Sequence, residues 1–258
     1  MFYSLHETSR FRTFTRIFDL GPLKVYIVYR GYIKKTLSLT HIMGKIVSVD
    51  LGDTLVAFRP RKYELIYEVL REEGYENLSL KKVYRAYINT MAKYNFPDQN
   101  GVNPFDVREF LYNLSINPNN MRLVKKISEI DRGDEYYTYD DAIDFLEFLK
   151  SNDYSIALVS NATPRAKRVV RELNLDKYFD LEVYSFEVGK VKPNPAIFSI
   201  VIKKLGYPEY HIGDIKEMDV YGAKRAGIRS ILLNRFSFYE NEGIKSLKEV
   251  TAYLRVGT

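Results

Sequence analysis

Polar residues suited to catalysis follow three short apolar runs of this sequence: Asp50, then Ser160 with Asn161, then Asp214. Lys192 stands apart from them, just before a segment with helical spacing. If the apolar runs are parallel strands of one sheet, these side chains converge at its carboxyl edge, where open α/β sheets bind ligands. Two carboxylates with a lysine, a hydroxyl and an amide could bind a divalent cation and a phosphate. Oxygen ligands without a nearby histidine or cysteine favour magnesium over zinc.

The runs that precede these residues have the length and composition of buried strands. Residues 45–49 read KIVSV, rich in β-branched side chains, and the turn-like Gly52-Asp53 lies just beyond them. A short apolar run of this kind predicts a parallel strand covered on both faces. Strands are predicted in the same way at 155–159, 181–185, 210–212 and 230–233.

Helices are predicted between these strands, at 140–150, 163–173, 194–205 and 220–226. Strands that alternate with helices predict a parallel sheet with helices on both faces. The expected fold class is therefore α/β, with a Rossmann-like sheet at its centre.

Between about residues 60 and 134 no strand is indicated, and apolar residues recur at helical spacing in four groups, which begin at Leu65, Val83, Phe110 and Leu123. Proline after a capping residue, at Asn103-Pro104 and Asn117-Pro118, is typical of helix starts. We therefore predict a four-helix domain at 60–134, inserted after the first core strand. The core domain is predicted to comprise 43–59 and 135–258.

The net charge of +6 is concentrated at the N-terminus. Residues 1–42 carry seven lysines or arginines against Glu7 and Asp19, a net of +5, which leaves +1 for the rest of the chain. Nucleic-acid binding requires a basic face on the fold, so this distribution predicts no nucleic-acid partner for the body. The basic extension either touches RNA or an acidic membrane surface, or is an appended or mis-started segment ahead of Met43. We favour the second interpretation.

Composition excludes several other classes of protein. Cysteine is absent, so neither a disulfide framework nor a thiolate metal site can form. No apolar run approaches the roughly 20 residues that span a bilayer, and the N-terminus lacks the order of a secretory signal. We expect a soluble cytoplasmic protein, and its oligomeric state is left open.

Taken in chain order, the polar groups resemble the four motifs of the haloacid dehalogenase-like hydrolases. Residues 50–55, Asp-Leu-Gly-Asp-Thr-Leu, resemble the first motif, usually Asp-x-Asp-Gly-Thr-Leu after a hydrophobic strand. The other three motifs are matched by Ser160-Asn161, by Lys192-Pro193, and by Gly213-Asp214 with Asp219. The resemblance covers about residues 44–235. The four-helix segment is similar to the α-helical cap of the phosphoglycolate phosphatase and dehalogenase branch.

The resemblance implies a magnesium-dependent phosphoryl-transfer hydrolase, a phosphatase that acts on a small phosphorylated metabolite. Asp50 would be the nucleophile and would form an aspartyl-phosphate. Ser160 and Lys192 would also be catalytic and would stabilise the phosphoryl oxygens, and together with Asn161 they would bind the substrate. The magnesium ligands would be Asp50, the carbonyl of Gly52, Asp214 and, directly or through water, Asp219.

Each of these residues also has a simpler explanation when it is taken alone. An aspartate after a strand often only caps a helix or forms a turn, and Asp219 could simply start the following helix. Lys190 competes with Lys192 for the catalytic position, which we assign to Lys192 because a proline directly follows it. The four motifs in the right order favour the catalytic interpretation.

One position departs from the family motif. Thr54-Leu55 sets the register, so Gly52 stands where the phosphatases carry a second aspartate, which protonates the leaving group and then activates water. Asp53 occupies the usual glycine position, and we expect its carboxylate to point elsewhere. Slow hydrolysis of alkyl phosphates is therefore predicted. Two alternatives stay open: a metal-independent 2-haloacid dehalogenase and a catalytically weakened binding protein of the same fold.

Overall fold

The computed structural model of this protein describes residues 45–131 and 133–256, together with the backbone of two earlier strands. The chain divides into two compact units, Met1–Lys45 and Ile46–Thr258. In the first unit, β1 (Lys24–Tyr29) pairs antiparallel with β2 (Tyr32–Ser38). This hairpin lies within the basic extension and was not predicted from the sequence. The rest of that extension lies outside the described residues.

The second unit begins with β3 (Ile46–Val49) and β4 (Val56–Arg59). Four helices follow: α1 (Lys62–Glu72), α2 (Leu80–Ala92), α3 (Val107–Asn113) and α4 (Met121–Ser128). The next elements are β5 (Glu135–Thr138), α5 (Asp140–Ser151), β6 (Ser155–Ser160), α6 (Pro164–Glu172), a 3-10 turn (Asp176–Tyr178), β7 (Leu181–Tyr184), α7 (Ser185–Val188), α8 (Ala196–Lys204) and β8 (Tyr210–Gly213). The last elements described are a π-helical turn (Lys216–Val220), α9 (Tyr221–Arg225), β9 (Arg229–Leu232) and α10 (Leu247–Val256).

Five of these strands form one parallel sheet in the order β7–β6–β3–β8–β9. The central strand is β3, in which Ile46 pairs with Ser155 of β6 and Val47 pairs with Tyr210 of β8. Every neighbouring pair in the sheet is parallel, so all five strands end at the same edge. Asp50, which follows β3, therefore lies between Asn161, which follows β6, and Asp214, which follows β8.

Alternate residues of the strands pack on opposite faces of this sheet, as the pleat requires. On one face, Ile156 and Leu158 pack against a hydrophobic cluster supplied by α5, α6 and α10. On the other face, Ala157 and Val159 pack against α8 and α9. The predicted α/β fold, a parallel sheet with helices on both faces, is confirmed.

The helices α1–α4 form a single insertion between β4 and β5, which we call the helical insertion. They share a hydrophobic cluster in which Phe110, Leu111 and Leu123 are fully buried. The four predicted helices therefore all exist. Their apolar faces pack mainly on one another, which explains why the helical periodicity of this segment is strong in the sequence.

The helix starts predicted at Asn103-Pro104 and Asn117-Pro118 are wrong. Each proline precedes the observed first helical residue by three positions. The α3 helix is capped by Asp106 and the α4 helix by Asn120, and both side chains accept hydrogen bonds from backbone N–H groups of the first turn. A cap that satisfies those N–H groups determines where the helix begins, and the preceding proline does not.

A small second sheet joins the helical insertion to the rest of the unit. Strands β4 and β5 pair antiparallel, from Val56 opposite Thr138 to Arg59 opposite Glu135. An ideal Cβ at Gly133 would lie 2.0 Å from the carbonyl oxygen of Arg59, so this crossing requires glycine. Neither strand was predicted, because four-residue strands so distant in sequence leave little local signal.

Two further differences concern the C-terminal third of the unit. Helix α10 was not predicted, although Leu247, Val250 and Leu254 recur at helical spacing and pack into the core. The helix predicted at 220–226 is preceded by the π-helical turn, in which Met218 and Asp219 are buried.

Helix length also bears on membrane insertion. In the part of the chain that the structure describes, no helix is both long enough and apolar enough to cross a bilayer.

We predict that the chain shortened to start at Met43 melts within about 2 °C of the full chain, a difference of less than about 1 kcal/mol for a domain of this size. The reason is that the described hydrophobic clusters are built from residues beyond 45. Calorimetry would measure both chains, with Phe145→Ala as a sensitivity control that should lose about 3–5 kcal/mol. A clearly lower melting temperature for the shortened chain would show that residues 1–42 contribute to packing.

Candidate active site

The central strand β3 brings Asp50 to the carboxyl edge of the sheet. Its backbone N–H donates to the carbonyl of Ile212 at 2.9 Å, which continues the β3–β8 ladder by one residue. The Asp50 side chain is buried, yet it lines a cavity at this edge. Because β8 ends at Gly213, Asp214 enters the same cavity from the neighbouring strand.

Three carboxylates meet at this edge of the sheet. Oxygen atoms of Asp50, Asp214 and Asp219 all lie within 4.8 Å of one another. Burial, and then the neighbouring carboxylates, raise the pKa of Asp214 well above its ordinary value. Its Oδ1 is buried and has no hydrogen-bond partner among the described residues. A divalent cation would relieve this repulsion and pair with the free oxygen, so the donors present fit the predicted magnesium ion.

Lys192 supplies the positive charge of the site. Its Nζ lies 2.5 Å from Oδ1 of Asp50 and 2.5 Å from Oδ1 of Asp219, and its side chain is 3% exposed. Burial lowers the pKa of Lys192, but Asp219 and Asp50 outweigh that effect and the net shift is upward. Burial also raises the pKa of Asp50 to about 6, although Lys192 opposes the shift. Lys190 does not line the cavity, whereas Lys192 does and contacts two of the carboxylates.

Asp219 is held by several donors besides Lys192. Its Oδ2 accepts from the backbone N–H of Ile215 at 2.9 Å, and its Oδ1 lies 3.0 Å from Nε2 of His211. Burial would raise the pKa of Asp219, but Lys192 and His211 outweigh it and hold the pKa below its ordinary value. An ideal Cβ at Gly213 would lie 2.2 Å from Asp219 Cγ, so glycine there makes room for the carboxylate. Asp219 is therefore a buried counter-ion, not merely a helix start.

His211 is a residue of this site that the sequence analysis missed. The imidazole is fully buried, with Nδ1 3.0 Å from Oγ of Ser48, its register partner in β3. Burial lowers the pKa of His211 despite its contact with Asp219. The neutral ring therefore donates from Nε2 to Asp219 and accepts at Nδ1 from the Ser48 hydroxyl. The expectation that no histidine lies near the site is wrong. The available signal was a polar residue inside a buried strand, which requires a partner.

Asn161, which is predicted to bind substrate, lines the cavity, and its amide contacts the backbone of Lys192. Its Oδ1 accepts from the backbone N–H of Lys192 at 2.7 Å, and its Nδ2 donates to the carbonyl of Lys192 at 2.9 Å. The same Nδ2 lies 2.5 Å from Oδ1 of Asn103 in the helical insertion, whose own Nδ2 donates to the Lys192 carbonyl. The two amides thus clamp the backbone of Lys192. Ser160, the last residue of β6, is buried and lines the cavity.

Asp53 lines the cavity, but its carboxylate is engaged by neighbouring side chains. Its backbone has a positive φ of 54°, and its carboxylate receives Nε and Nη2 of Arg61, each at 2.6 Å. The hydroxyl of Tyr139 adds a third hydrogen bond at 2.9 Å. Gly52 lines the cavity, and an ideal Cβ placed on it meets no atom within 4 Å. The φ of Gly52 lies outside the left-handed region, so a side chain would fit there without backbone strain.

The cavity at the sheet edge has a volume of about 230 Å³ and is lined on one side by the helical insertion. Tyr63, Tyr84, Ile88 and Met91 of the insertion face the acidic cluster across it. The insertion therefore contributes a largely apolar wall with the basic Arg61 and Lys62 at its start, while the sheet edge contributes the carboxylates and Lys192.

Fold and site together define an α/β enzyme with an aspartate-based site at the carboxyl edge of a parallel sheet. The sequence model of the haloacid dehalogenase-like hydrolases matches residues 45–227, and the chain belongs to this family. The matched segment includes all four motifs, so the family predicted from them is confirmed.

Three relatives show how far the similarity extends. The chain is 27% identical over 211 residues to the Glyceraldehyde 3-phosphate phosphatase of Methanopyrus kandleri, which is 78% of this chain and 88% of that protein. It is 32% identical over 108 residues to the Pyrimidine 5'-nucleotidase YjjG of Escherichia coli, and 31% identical over 138 residues to the protein YMR130W of Saccharomyces cerevisiae. These two matches cover 40% and 45% of this chain, and they span only 48% and 46% of the two relatives.

Solved structures agree with the fold. The HAD-hydrolase YfnB of Bacillus subtilis superposes with a TM-score of 0.53 at 19% identity, covering 82% of this chain and 99% of that one. The HAD phosphatase of Thermococcus onnurineus gives a TM-score of 0.51 at 21% identity, covering 81% and 97%. At such identities the likeness concerns the fold alone.

We predict that His211→Leu lowers the free energy of unfolding by about 1–3 kcal/mol, because it removes a hydrogen-bond donor from the buried carboxylate of Asp219. His211→Gln places an amide donor near the position of Nε2, so it should lower the free energy of unfolding by less than half as much. Urea unfolding of the three chains measures the difference. Equal losses in the two variants would mean that imidazole packing against Phe198, and not the hydrogen bond, is what matters.

Proposed function

We propose that this protein is a magnesium-dependent phosphatase that hydrolyses a small phosphorylated metabolite through an aspartyl-phosphate. The observation that supports it most is the contact of Asp50 with Lys192 beside the acidic cluster. An anionic nucleophile, a buried cation and ligands for magnesium are the groups that phosphoryl transfer requires. The relatives named as a phosphatase and a nucleotidase are consistent with this chemistry.

Asp50 is the proposed nucleophile. Its carboxylate attacks phosphorus, the bond from phosphorus to the leaving oxygen breaks, and the electron pair leaves with that oxygen. Water then attacks the aspartyl-phosphate, which releases phosphate and restores the carboxylate. Magnesium, when bound, supplies positive charge at the phosphoryl oxygens and among the carboxylates. The residues that would hold it are Asp50, Gly52 through its carbonyl, Asp214, and Asp219 directly or through water.

Lys192 is the proposed electrostatic stabiliser of the transferred group. An ammonium group has three donors, and two of them are directed to Asp50 and Asp219. The third can then serve a phosphoryl oxygen, with the Ser160 hydroxyl as a second donor. Because both polar groups of the Asn161 amide bind the backbone of Lys192, its role is to position that lysine.

The first step lacks the usual proton donor. Gly52 has no side chain, and the carboxylate of Asp53 is engaged by Arg61 and Tyr139. The leaving oxygen must therefore depart with more negative charge than in a phosphatase that has a general acid at this position. Substrates with acidic leaving groups, such as acyl and aryl phosphates, suit this site best. The apolar wall contributed by the helical insertion also suits the ring of an aryl leaving group.

We predict that the full chain hydrolyses p-nitrophenyl phosphate only with magnesium, and that Asp50→Asn abolishes turnover because an amide cannot attack phosphorus. Asp144→Asn is the matched control, since it makes the same change on an exposed face of α5. Steady-state rates with and without a chelator test both statements.

Each other outcome of that assay identifies an alternative. Chelator-insensitive release of halide from a 2-haloacid would indicate the dehalogenase. Absence of turnover in the wild type would indicate a binding protein. Activity of Asp50→Asn above a trace would contradict the covalent mechanism.

We predict that wild-type rates depend steeply on leaving-group acidity, with aryl phosphates about 10²–10⁴-fold faster than alkyl phosphates of similar size, the range that general acid catalysis contributes. Gly52→Asp should narrow this gap by at least about tenfold, because the added carboxylate can donate a proton to the leaving oxygen. Gly52→Ala is the control, since it adds a Cβ into the same open space without an acid. A flat dependence in the wild type would mean that another group already acts as the acid.

A further inference from the structure

The reaction cavity adjoins a second, outer cavity of about 640 Å³, and several residues line both. The two share a boundary, which we call the neck, formed chiefly by Lys62, Tyr87, Met91, Asn103, Thr163 and Arg165. A substrate whose phosphate lies beside Asp50 would direct its other end towards these residues. The groups at the neck are the ones that would contact that end.

Charge is unevenly distributed around this boundary. The catalytic carboxylates line only the reaction cavity, and Asp98, Asp131 and Asp134 line only the outer one. Among the described residues that line both cavities, the charged ones are Lys62 and Arg165, and both are basic. The neck therefore carries two basic side chains between the carboxylates of the two cavities, which favours an anionic group of the ligand at that point.

The guanidinium of Arg165 is anchored on one side only. Its Nη1 donates to the carbonyl of Gly133 at 2.8 Å and lies 3.4 Å from the fully exposed carboxylate of Asp134. Its Cζ lies 6.0 Å from the centroid of the Tyr136 ring. These contacts hold the group in place, while Nη2 is buried and has no hydrogen-bond partner among the described residues. A buried, unpaired N–H of a charged group is costly and calls for an acceptor.

We propose that Arg165 binds a second anionic group of the substrate, a carboxylate or a second phosphate, at the neck. This inference rests on the proposed phosphatase function and specifies its substrate class: a phosphorylated metabolite with a further anion at its distal end. A guanidinium whose Nη2 has no hydrogen-bond partner among the described residues can donate to an oxygen of either anion. The position of Arg165 in the first turn of α6, directly after the strand that ends at Ser160, links this subsite to the reaction centre.

Matched substrate pairs test the proposal. In the carboxylate pair, 3-phosphoglycerate differs from glycerol 3-phosphate by an anion at the distal carbon. In the phosphate pair, fructose 1,6-bisphosphate is compared with fructose 6-phosphate. Wild-type kcat/KM should favour the doubly anionic member of at least one pair, which identifies the anion. Arg165→Ala and Arg165→Gln should lower kcat/KM for that member by about 10- to 100-fold, the range for losing a charge-assisted hydrogen bond. The singly anionic member and p-nitrophenyl phosphate should change by less than about threefold.

Arg168→Ala is the matched control, because Arg168 lies on the same helix and its side chain is 68% exposed. Its Nε lies 3.7 Å from a carboxylate oxygen of Glu172. It should leave all substrates unchanged, and melting curves of each variant report folding. The proposal is overturned if the Arg165 variants affect both members of a pair equally, or if the wild type prefers neither doubly anionic compound.

A binding measurement separates this proposal from the phosphatase function. Calorimetric titration of the full chain carrying Asp50→Asn, with magnesium, gives dissociation constants for the same pairs without turnover. Adding Arg165→Ala should weaken binding of the doubly anionic compound alone, by the same factor. If the wild type fails to hydrolyse p-nitrophenyl phosphate, the proposed function is wrong, whereas the titration still decides the role of Arg165. Equal binding with and without Arg165, or no binding of either compound, overturns the subsite.

Discussion

The buried contact of Lys192 with Asp50 and Asp219 is the interaction on which the rest of the site depends. Moving any one of these ions out of water costs several kcal/mol, and only their mutual attraction and further hydrogen bonds offset that cost. The surroundings supply such bonds from His211 and the backbone of Ile215. Removing Lys192 would leave the buried carboxylates of Asp50 and Asp219 without a cation, so the local packing of β3, β8 and the π-helical turn serves this arrangement.

The same lysine also couples the sheet to the helical insertion. Its backbone carbonyl accepts from Asn161, which follows β6, and from Asn103, which lies between α2 and α3. One amide network thus aligns the strand end, the lysine and the insertion that lines the cavity. The insertion therefore contributes to placing a charged group at the centre of the site as well as to covering it. Rigid support of this kind is what electrostatic catalysis requires.

Relative to the family motif, glycine and aspartate are exchanged at positions 52 and 53, and the carboxylate therefore has a different role. In its left-handed conformation, Asp53 directs its carboxylate to Arg61 at the start of α1 and to Tyr139 at the start of α5. The charge then stabilises the point where β4 and β5 join the insertion to the core. A carboxylate engaged in this way cannot donate a proton to the leaving group. A carboxylate at position 53 stabilises the junction, whereas a carboxylate at position 52 could act as the acid.

The sequence by itself determined the parallel sheet, the four helices of the insertion, and the strand ends that carry Asp50 and Asp214. These features follow from apolar runs and helical periodicity within short windows, and the family motifs then imply the roles. Only the tertiary structure decided that His211 meets Ser48, since that contact depends on the register of two strands whose residues lie 163 positions apart. The β4–β5 pair and the unpaired Nη2 of Arg165 are also visible only in the tertiary structure. No local pattern encodes them, because long-range contacts depend on how separate elements pack, and packing is a property of the whole fold.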